Sequence, residues 1–201
     1  MSIITKSDIL NTVDSFFSYE RPTDKSSVKI LKPNERLLSL KQHSQEDNIN
    51  KNWYTEFQKL YSNNAVVNWT DLPNSQCLEY KVLAHSNQKI LDDDIELIKL
   101  LGGKRVDLRI FISLLGNYYY CMLEETSYIK ETDEWNFNNI SDSGQYVKLL
   151  EEAKIFMDKK GFNYISKELL NTTLEGIETE YISCNKLTLF NCLFSEFESI
   201  D

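Results

Sequence analysis

Residues 105–129 decide the fold that this sequence predicts, and they read RVDLRIFISLLGNYYYCMLEETSYI. Two runs rich in branched and aromatic residues flank Leu115-Gly116-Asn117-Tyr118, and such runs around a glycine-containing turn are typical of a β-hairpin. Gly116 can take a positive φ at no steric cost, which suits a two-residue turn. This turn fixes the register, so Arg109 should lie opposite Glu124.

The predicted hairpin has one apolar face and one aromatic face, because successive side chains of a strand point to opposite sides. The apolar face should be the core face, and it carries Val106, Leu108, Ile110, Ile112, Leu114, Tyr119, Cys121 and Leu123. The other face carries Phe111, Tyr118, Tyr120 and Met122. If a helix covers this second face, its tyrosines are core residues. If none does, they form an exposed patch beside Arg109 and Glu124, with the composition of an interface hot spot.

The rest of the chain predicts an α+β fold, a mainly antiparallel sheet with helices packed on one face. We expect one domain over residues 1–201, with a helical N-terminal third, about 1–62, packed on the sheet, because that third alone offers too little core. A loop is expected over 48–52. Helices are predicted at 6–20, 34–43, 53–61, 91–101 and 143–160, a helical turn at 166–171, and further strands at 65–69, 77–84, 134–137 and 187–194.

Charge is divided unevenly along the chain. Residues 1–90 hold 11 Lys and Arg against 10 Asp and Glu, a net of +1. Residues 91–201 hold 11 against 21, a net of −10, and the whole chain carries −9. Nucleic acids and anionic membranes attract clusters of Lys and Arg, so this balance argues against both as partners.

Nothing in the sequence indicates secretion or a membrane span. The first residues lack the apolar core of a signal peptide, and no run approaches 18 apolar residues. Cysteines are widely spread, and neither they nor the two histidines show metal-site spacing. We therefore expect reduced thiols in a cytoplasmic protein, with no cofactor and no metal. The cysteines are Cys77, Cys121, Cys184 and Cys192, and the histidines are His43 and His85.

The densest carboxylate run is Asp92-Asp93-Asp94-Ile95-Glu96. Several oxygens close together suit Mg²⁺ or Ca²⁺. Consecutive helical residues, however, point about 100° apart and cannot all converge on one ion. The run is therefore interpreted as the first turn of a helix, where acidic side chains match the positive end of the helix dipole. An acidic docking patch is the alternative.

Two other acidic groups stand out. Glu131, Asp133 and Glu134 follow the hairpin, and paired carboxylates can act as acid and base when a cleft holds them. The sequence brings them to no such cleft, so they are interpreted as a solvated sheet edge. Glu196 and Glu198 alternate with apolar residues at the C-terminus, where residues 174–201 hold six acids against one lysine. This stretch serves solubility or captures a basic partner.

A family resemblance follows from the strand–turn–strand segment at 111–120, the closing stretch at 187–196, the acidic balance and the lack of readable catalytic residues. In this combination the chain resembles the small bacterial immunity proteins that neutralise polymorphic toxins. The resemblance implies a cytosolic protein that binds one cognate toxin domain, often a basic nuclease, and blocks its site. It carries over no functional residue.

We therefore expect an acidic binding protein, most simply an immunity-type inhibitor of a basic toxin domain, in which carboxylates steer the encounter and tyrosines slow release. A homo-oligomeric adaptor without catalytic activity, such as a homodimer joined at a sheet edge, is the alternative, and an enzyme without a readable motif is the third. No catalytic residue is expected. The expected partner-binding residues are Asp92, Asp93, Asp94, Glu96, Arg109, Tyr118, Tyr120, Glu124, Glu131, Asp133, Glu134, Glu196 and Glu198.

Overall fold

Helices and strands are mixed along the chain, with several antiparallel strands in succession. The computed structural model describes residues 4–21, 28–46, 49–85, 95–140 and 144–200. The elements in these ranges are α1 (Lys6–Phe16), β1 (Phe17–Glu20), β2 (Lys29–Pro33), α2 (Glu35–Glu46), α3 (Ile49–Leu60), β3 (Val66–Asn68), β4 (Cys77–Leu83), α4 (Ile95–Leu100), β5 (Lys104–Ser113), β6 (Tyr118–Ile129), β7 (Glu134–Ile140), α5 (Val147–Lys159), β8 (Asn163–Tyr164), α6 (Lys167–Leu170), β9 (Ile177–Glu178) and α7 (Leu189–Leu193).

The main sheet is built around the predicted hairpin. Its strands β3, β4, β5, β6 and β7 lie side by side in chain order, and each pair is antiparallel. The short strand β8 joins the beginning of β6 in parallel. A second, small sheet has the order β1-β2-β9. The predicted α+β class with a mainly antiparallel sheet is confirmed.

The hairpin register differs from the prediction by two residues. Arg109 lies opposite Met122, and Glu124 lies opposite Asp107. The connection spans residues 114–117 rather than two residues, because the Leu114 N–H donates to the carbonyl oxygen of Gln76 at 2.9 Å instead of to β6. A shift of two residues leaves every side chain on its predicted face, so the pattern of faces could not reveal it.

The predicted core face is confirmed. Val106, Leu108, Ile110 and Ile112 of β5 are buried together with Tyr119, Cys121 and Leu123 of β6. Helices α3 and α5 cover this face through Phe57, Ala153 and Met157, and Tyr61 adds to the cover directly after α3. Fully burying one such large apolar side chain stabilises the fold by roughly 1.5–3 kcal/mol.

The second face of the sheet is also covered, which settles the alternative left open for its aromatic residues. Tyr120 and Phe111 are buried against α7, where the Phe111 ring lies 5.4 Å from that of Phe190. Tyr118 is half-buried, and its hydroxyl lies 3.0 Å from the Thr12 hydroxyl of α1. Helix α1 joins the same core through Ile9, Val13 and Phe16. Tyr120 is therefore a core residue, and Tyr118 lies at the edge of that core.

Two predicted helix boundaries are wrong in the N-terminal third. Helix α1 ends at Phe16, and the next four residues form strand β1. Its N-cap is Thr5, which exchanges hydrogen bonds with Asp8 in a capping box. Helix α3 begins at Ile49, within the loop that was expected at 48–52. Contacts with the sheet accompany the early start, since Ile49 packs against the core and the Tyr80 hydroxyl donates to the carbonyl oxygen of Asn50 at 2.9 Å.

The predicted strand at 187–194 is also wrong, because residues 189–193 form helix α7. Thr188 caps this helix, and its side chain and that of Asn191 satisfy each other's backbone N–H groups. Every residue from Leu189 to Leu193 is buried, so the segment has no solvent-facing side that would show a helical period. A short run of this kind does not distinguish a buried helix from a central strand.

Candidate functional site

A cleft of about 240 Å³ lies between the turn that follows β3 and the C-terminal segment. Glu79 of β4 lines the cleft together with Trp69, Asp71, Ser75, Phe197 and Glu198. Carboxylates and exposed aromatic rings meet here. This combination makes the cleft the candidate functional site.

Local hydrogen bonds hold both walls of the cleft against the sheet. The backbone N–H of Trp69 donates to the carbonyl oxygen of Glu79 at 2.9 Å, and the backbone N–H of Glu79 donates to the Thr70 hydroxyl at 2.9 Å. On the other side, the Asn191 amide of α7 donates to the carbonyl oxygens of Ser195 and Glu198, both at 3.0 Å. The rims therefore rest on regular structure, which keeps them in place for binding.

Three carboxylates share one guanidinium at the floor of the cleft. Arg109 donates to Oε1 of Glu79 from Nε at 2.9 Å and from Nη2 at 2.6 Å. Its Nη1 donates to Oε2 of Glu124 at 2.8 Å, and its Nη2 also donates to Glu198. Arg109, Glu79 and Glu124 are buried, and Glu198 is half-buried. One positive charge thus faces three carboxylates, which leaves an excess of negative charge.

Burial and this excess of charge perturb the titration of Glu79. Burial raises the pKa of Glu79 to about 7, the Arg109 guanidinium opposes that rise, and the negative charge of Glu198 adds to it. For Arg109, burial lowers the pKa, but Glu79, Glu198 and Glu124 raise it further, so the net shift is upward and the guanidinium stays charged. Glu79 is therefore the group in the cleft that changes charge near neutral pH.

Aromatic rings form the exposed rim. Trp69 is 41% exposed and Phe197 is 56% exposed. The Lys81 ammonium lies 4.2 Å from the centre of the Trp69 ring, and the Tyr181 ring is tilted by 49° to that of Phe197, with the two ring centres 5.0 Å apart. The contact with Lys81 shows that a cation is accommodated on this rim. Rings and carboxylates together favour a positively charged ligand group.

The structure brings some of the predicted binding residues together and separates others. Arg109, Glu124 and Glu198 meet beneath the cleft, although Arg109 and Glu124 are buried and do not present a surface. Glu196, two residues before Glu198, is half-buried, and its Oε2 accepts a hydrogen bond from the Thr179 hydroxyl at 3.1 Å. Burial raises the pKa of the Glu196 carboxyl.

The other predicted acidic residues lie away from the cleft. Glu131, Asp133 and Glu134 are exposed at the turn between β6 and β7, where the Tyr128 hydroxyl donates to Oδ1 of Asp133 at 2.7 Å. Glu96 lies on α4, where it pairs with Lys99 at 2.7 Å. Asp92, Asp93 and Asp94 lie outside the described residues.

Sequence reasoning missed Glu79, Trp69 and Tyr181. A signal for Glu79 was present, because it and Lys81 are the two charged residues of the strand Cys77–Leu83, just as Arg109 interrupts an apolar stretch of β5. A buried charge needs a partner of opposite sign, so Glu79 and Arg109 could have been paired. Trp69 and Tyr181 carry no such signal.

Among the described residues, no ion pair joins a cation of residues 1–90 to a carboxylate of residues 91–201, although the charge of Glu196 acts on Lys41. Two described ion pairs join residues 1–90 to residues 91–201, and in both the carboxylate comes from the first part. They are the pair between Glu79 and Arg109 and the pair between Glu56 and Lys160, the latter at 2.9 Å. These two pairs therefore neutralise no carboxylate of residues 91–201.

The described ranges hold no group of three or more His, Cys, Asp or Glu side chains placed to bind a metal ion. No helix in those ranges has the length and apolar character needed to cross a bilayer. Cys77, Cys121 and Cys192 are buried, Cys184 is half-buried, and all four are free thiols.

The chain matches no family model, no curated protein and no solved structure.

Proposed function

We propose that this protein is an acidic binding protein of the immunity type, which captures a basic toxin domain and blocks its site. The observation that carries the proposal is the cleft, where Glu79, Glu124 and Glu198 share the single guanidinium of Arg109 beneath an aromatic rim. A binding surface of this composition is complementary to a basic protein and poorly suited to phosphate or nucleic acid.

The binding mechanism has two parts. The net charge of −10 in residues 91–201 attracts a basic partner from a distance and speeds the encounter. Trp69 and Phe197 then lose their exposed area against the partner, which slows release, because aromatic anchors dominate binding energy at interfaces. The partner's own site is blocked because it is occupied by this surface. The free thiols are in keeping with action in the cytoplasm.

Capture of the partner tests the proposal. The tagged protein is cross-linked and purified from its source cells, as the wild type and as the Phe197→Ala and Phe137→Ala variants. Phe197 and Phe137 are exposed to similar extents, 56% and 60%, but only Phe197 lies at the cleft. We expect a basic protein to be recovered with the wild type and Phe137→Ala, and to be lost with Phe197→Ala. Recovery of no basic protein, or equal recovery with both variants, contradicts the proposal.

A homo-oligomeric adaptor is the second candidate, and the edge of the main sheet favours it. Strand β7 (Glu134–Ile140) pairs with β6 on one side, and no described strand pairs with its other side. Such an edge offers unpaired backbone groups to a second copy. Light scattering over a range of concentrations tests this function. A mass that rises with concentration and falls in Phe137→Ala supports the adaptor, whereas a constant monomer mass contradicts it.

Catalysis is the function that we consider least consistent with this cleft. A glutamate with a pKa of about 7 is suited to general acid–base chemistry. However, the cleft of about 240 Å³ is smaller than the roughly 300–1,000 Å³ of most ligand pockets. Arg109 also donates two hydrogen bonds to Oε1 of Glu79, so this carboxyl is tied to a structural partner. We therefore propose a binding role and no enzymatic one.

A further inference from the structure

We propose that the cleft receives a single arginine side chain of the partner, and that its guanidinium enters as Glu79 gives up a proton. This inference rests on the proposed function, because it names the group of the basic partner that the cleft recognises. It goes further in assigning one residue type to the cleft and one proton to the binding event. Each part can fail separately.

The charges of the cleft call for one additional cation. Glu79, Glu198 and Asp71 line the cleft, and Glu79 and Glu198 share their only described cationic hydrogen-bond donor, Arg109, with the buried Glu124. Arg109 balances one of these negative charges and Lys81, on the Trp69 ring, offsets part of another, so the carboxylates remain in excess. A second guanidinium arriving from solvent would restore the balance at the point where Arg109 has already brought two carboxylates close together.

The size and walls of the cleft favour one side chain over a larger ligand. Its volume of about 240 Å³ is small for a whole substrate molecule, and the exposed rings of Trp69 and Phe197 stand beside the carboxylates. A guanidinium is planar, stacks on aromatic rings and donates several hydrogen bonds in a fixed fork. An ammonium group is a compact, strongly hydrated charge and gains less from such walls. Arginine therefore fits better than lysine.

Glu79 couples this binding to protons. Its pKa of about 7 reflects its burial, because the attraction of Arg109 offsets only part of the rise that burial causes. A further cation stabilises the ionised form and lowers this pKa, so binding releases a proton at pH 6 and releases almost none at pH 8. The charged and titratable groups that face Glu79 are Arg109 of β5, Glu198 of the C-terminal segment, Lys81 and Cys77 of its own strand, and Asp71 across the cleft.

The test uses the full chain and a small probe, Nα-acetylarginine amide. Its binding to the wild type is followed by NMR through the indole N–H signal of Trp69, and its binding to every variant, Trp69→Ala included, is measured by calorimetry. Calorimetry in two buffers of different ionisation enthalpy also counts the protons released. We expect binding about tenfold tighter at pH 8 than at pH 6, because the ionised fraction of Glu79 rises about tenfold over that range. About one proton should leave per bound probe at pH 6.

Matched probes and variants separate the parts of the inference. The citrulline analogue has nearly the same shape without the charge and should not bind, and the lysine analogue should bind more weakly than the arginine probe. Glu79→Gln should bind the arginine probe with no pH dependence, whereas Glu151→Gln, a change at an exposed residue of α5, should behave as the wild type. Trp69→Ala alters an exposed ring, so it tests the cleft even if Glu79→Gln does not fold; it should weaken binding and leave the pH dependence intact.

Each contrary result overturns a stated part. Citrulline binding equal to arginine binding overturns the electrostatic basis, and lysine binding as tight as arginine binding overturns the assignment of the residue type. Affinity that is unchanged between pH 6 and pH 8 overturns the role of Glu79. If no probe binds but Phe197→Ala still loses a basic partner, the arginine inference fails and the proposed function stands. If the arginine probe binds and no basic partner is recovered from the source cells, the proposed function fails.

Discussion

At the scale of single residues, Arg109 is the most consequential side chain of the described fold. It is buried and donates hydrogen bonds to three glutamates on β4, β6 and the C-terminal segment. Charges in the interior need such partners, because a buried carboxylate without a cation is strongly destabilising. The same side chain thus joins three parts of the chain and sets the floor of the cleft.

Arg109→Met should therefore destabilise the protein by about 3–5 kcal/mol, because it leaves three carboxylates without their cation. Urea unfolding followed by circular dichroism measures the loss. Lys32→Met is the control, since Lys32 pairs with Glu20 at 2.7 Å with both side chains about half exposed, and such a pair contributes less than about 1 kcal/mol. Equal losses in the two variants would show that burial of the cluster has no energetic weight.

Glu79 should make the folded state less stable as the pH rises. Its pKa of about 7 lies above the ordinary glutamate value of 4.5, so the folded chain holds a proton that the unfolded chain has released. The stabilisation is complete below pH 4.5 and is lost as the pH rises to about 7. Glu79→Gln should reduce this decline, while Asp107 and Glu196, whose pKa values are also raised by burial, maintain part of it.

Urea midpoints at pH 5, 6, 7 and 8 measure this dependence in the wild type, in Glu79→Gln and in the control Glu151→Gln. The control should decline with pH as the wild type does. If the stability of Glu79→Gln declined with pH as much as that of the wild type, a group other than Glu79 would cause the decline. This dependence bears on function. The folded chain without ligand is more stable with Glu79 protonated, whereas the arginine-bound cleft requires Glu79 to be ionised. Part of the binding free energy is therefore used to ionise Glu79.

At the scale of elements, helix α7 and the segment after it form one wall of the cleft. Asn191 lies in the cap of α7 and also donates to the carbonyl oxygens of Ser195 and Glu198. Asn191→Ala should destabilise the protein by about 1–3 kcal/mol, because it leaves buried carbonyl groups without donors. It should also speed hydrogen exchange at residues 196–200.

Thr188→Ala is the matched change for this prediction. It removes a side chain of the same cap and leaves both bonds from Asn191 to the following segment in place. Its cost should be that of a lost cap, about 1 kcal/mol, without faster exchange at residues 196–200. Faster exchange in both variants would mean that the cap, and not the two carbonyl bonds, holds the wall of the cleft.

The sequence predicts an element correctly where its apolar pattern fits one structure only. The prediction fails where the pattern fits two structures equally well. The hairpin, its core face and helix α5 follow from alternation and helical periodicity, and they agree with the structure. The register and helix α7 do not follow from those patterns. A shift of two residues keeps all faces, and a short stretch that is buried all round suits a helix or a central strand equally well. Hydrogen bonds of Leu114 and Thr188 make the choice.

At the scale of the whole molecule, the cleft could not be predicted because its parts are distant in sequence. Trp69, Glu79, Arg109 and Glu198 belong to the turn after β3, to two strands and to the C-terminal segment. No fixed spacing relates them. The division of charge along the sequence did not indicate this place either, since Glu79 and Asp71 come from the first part of the chain and join Glu198 of the second.

The N-terminal third should be essential to folding of the whole chain. Phe57 and Tyr61 contribute to the core on one face of the main sheet, whereas Ile9, Val13 and Leu37 contribute to the core on the other. Removal of residues 1–62 would expose apolar surface on both faces at once, so residues 63–201 alone should lack a cooperative unfolding transition. Thermal circular dichroism and the dispersion of amide signals measure this outcome. Cooperative unfolding of 63–201 would instead divide the chain into two domains, with a boundary close to residue 62.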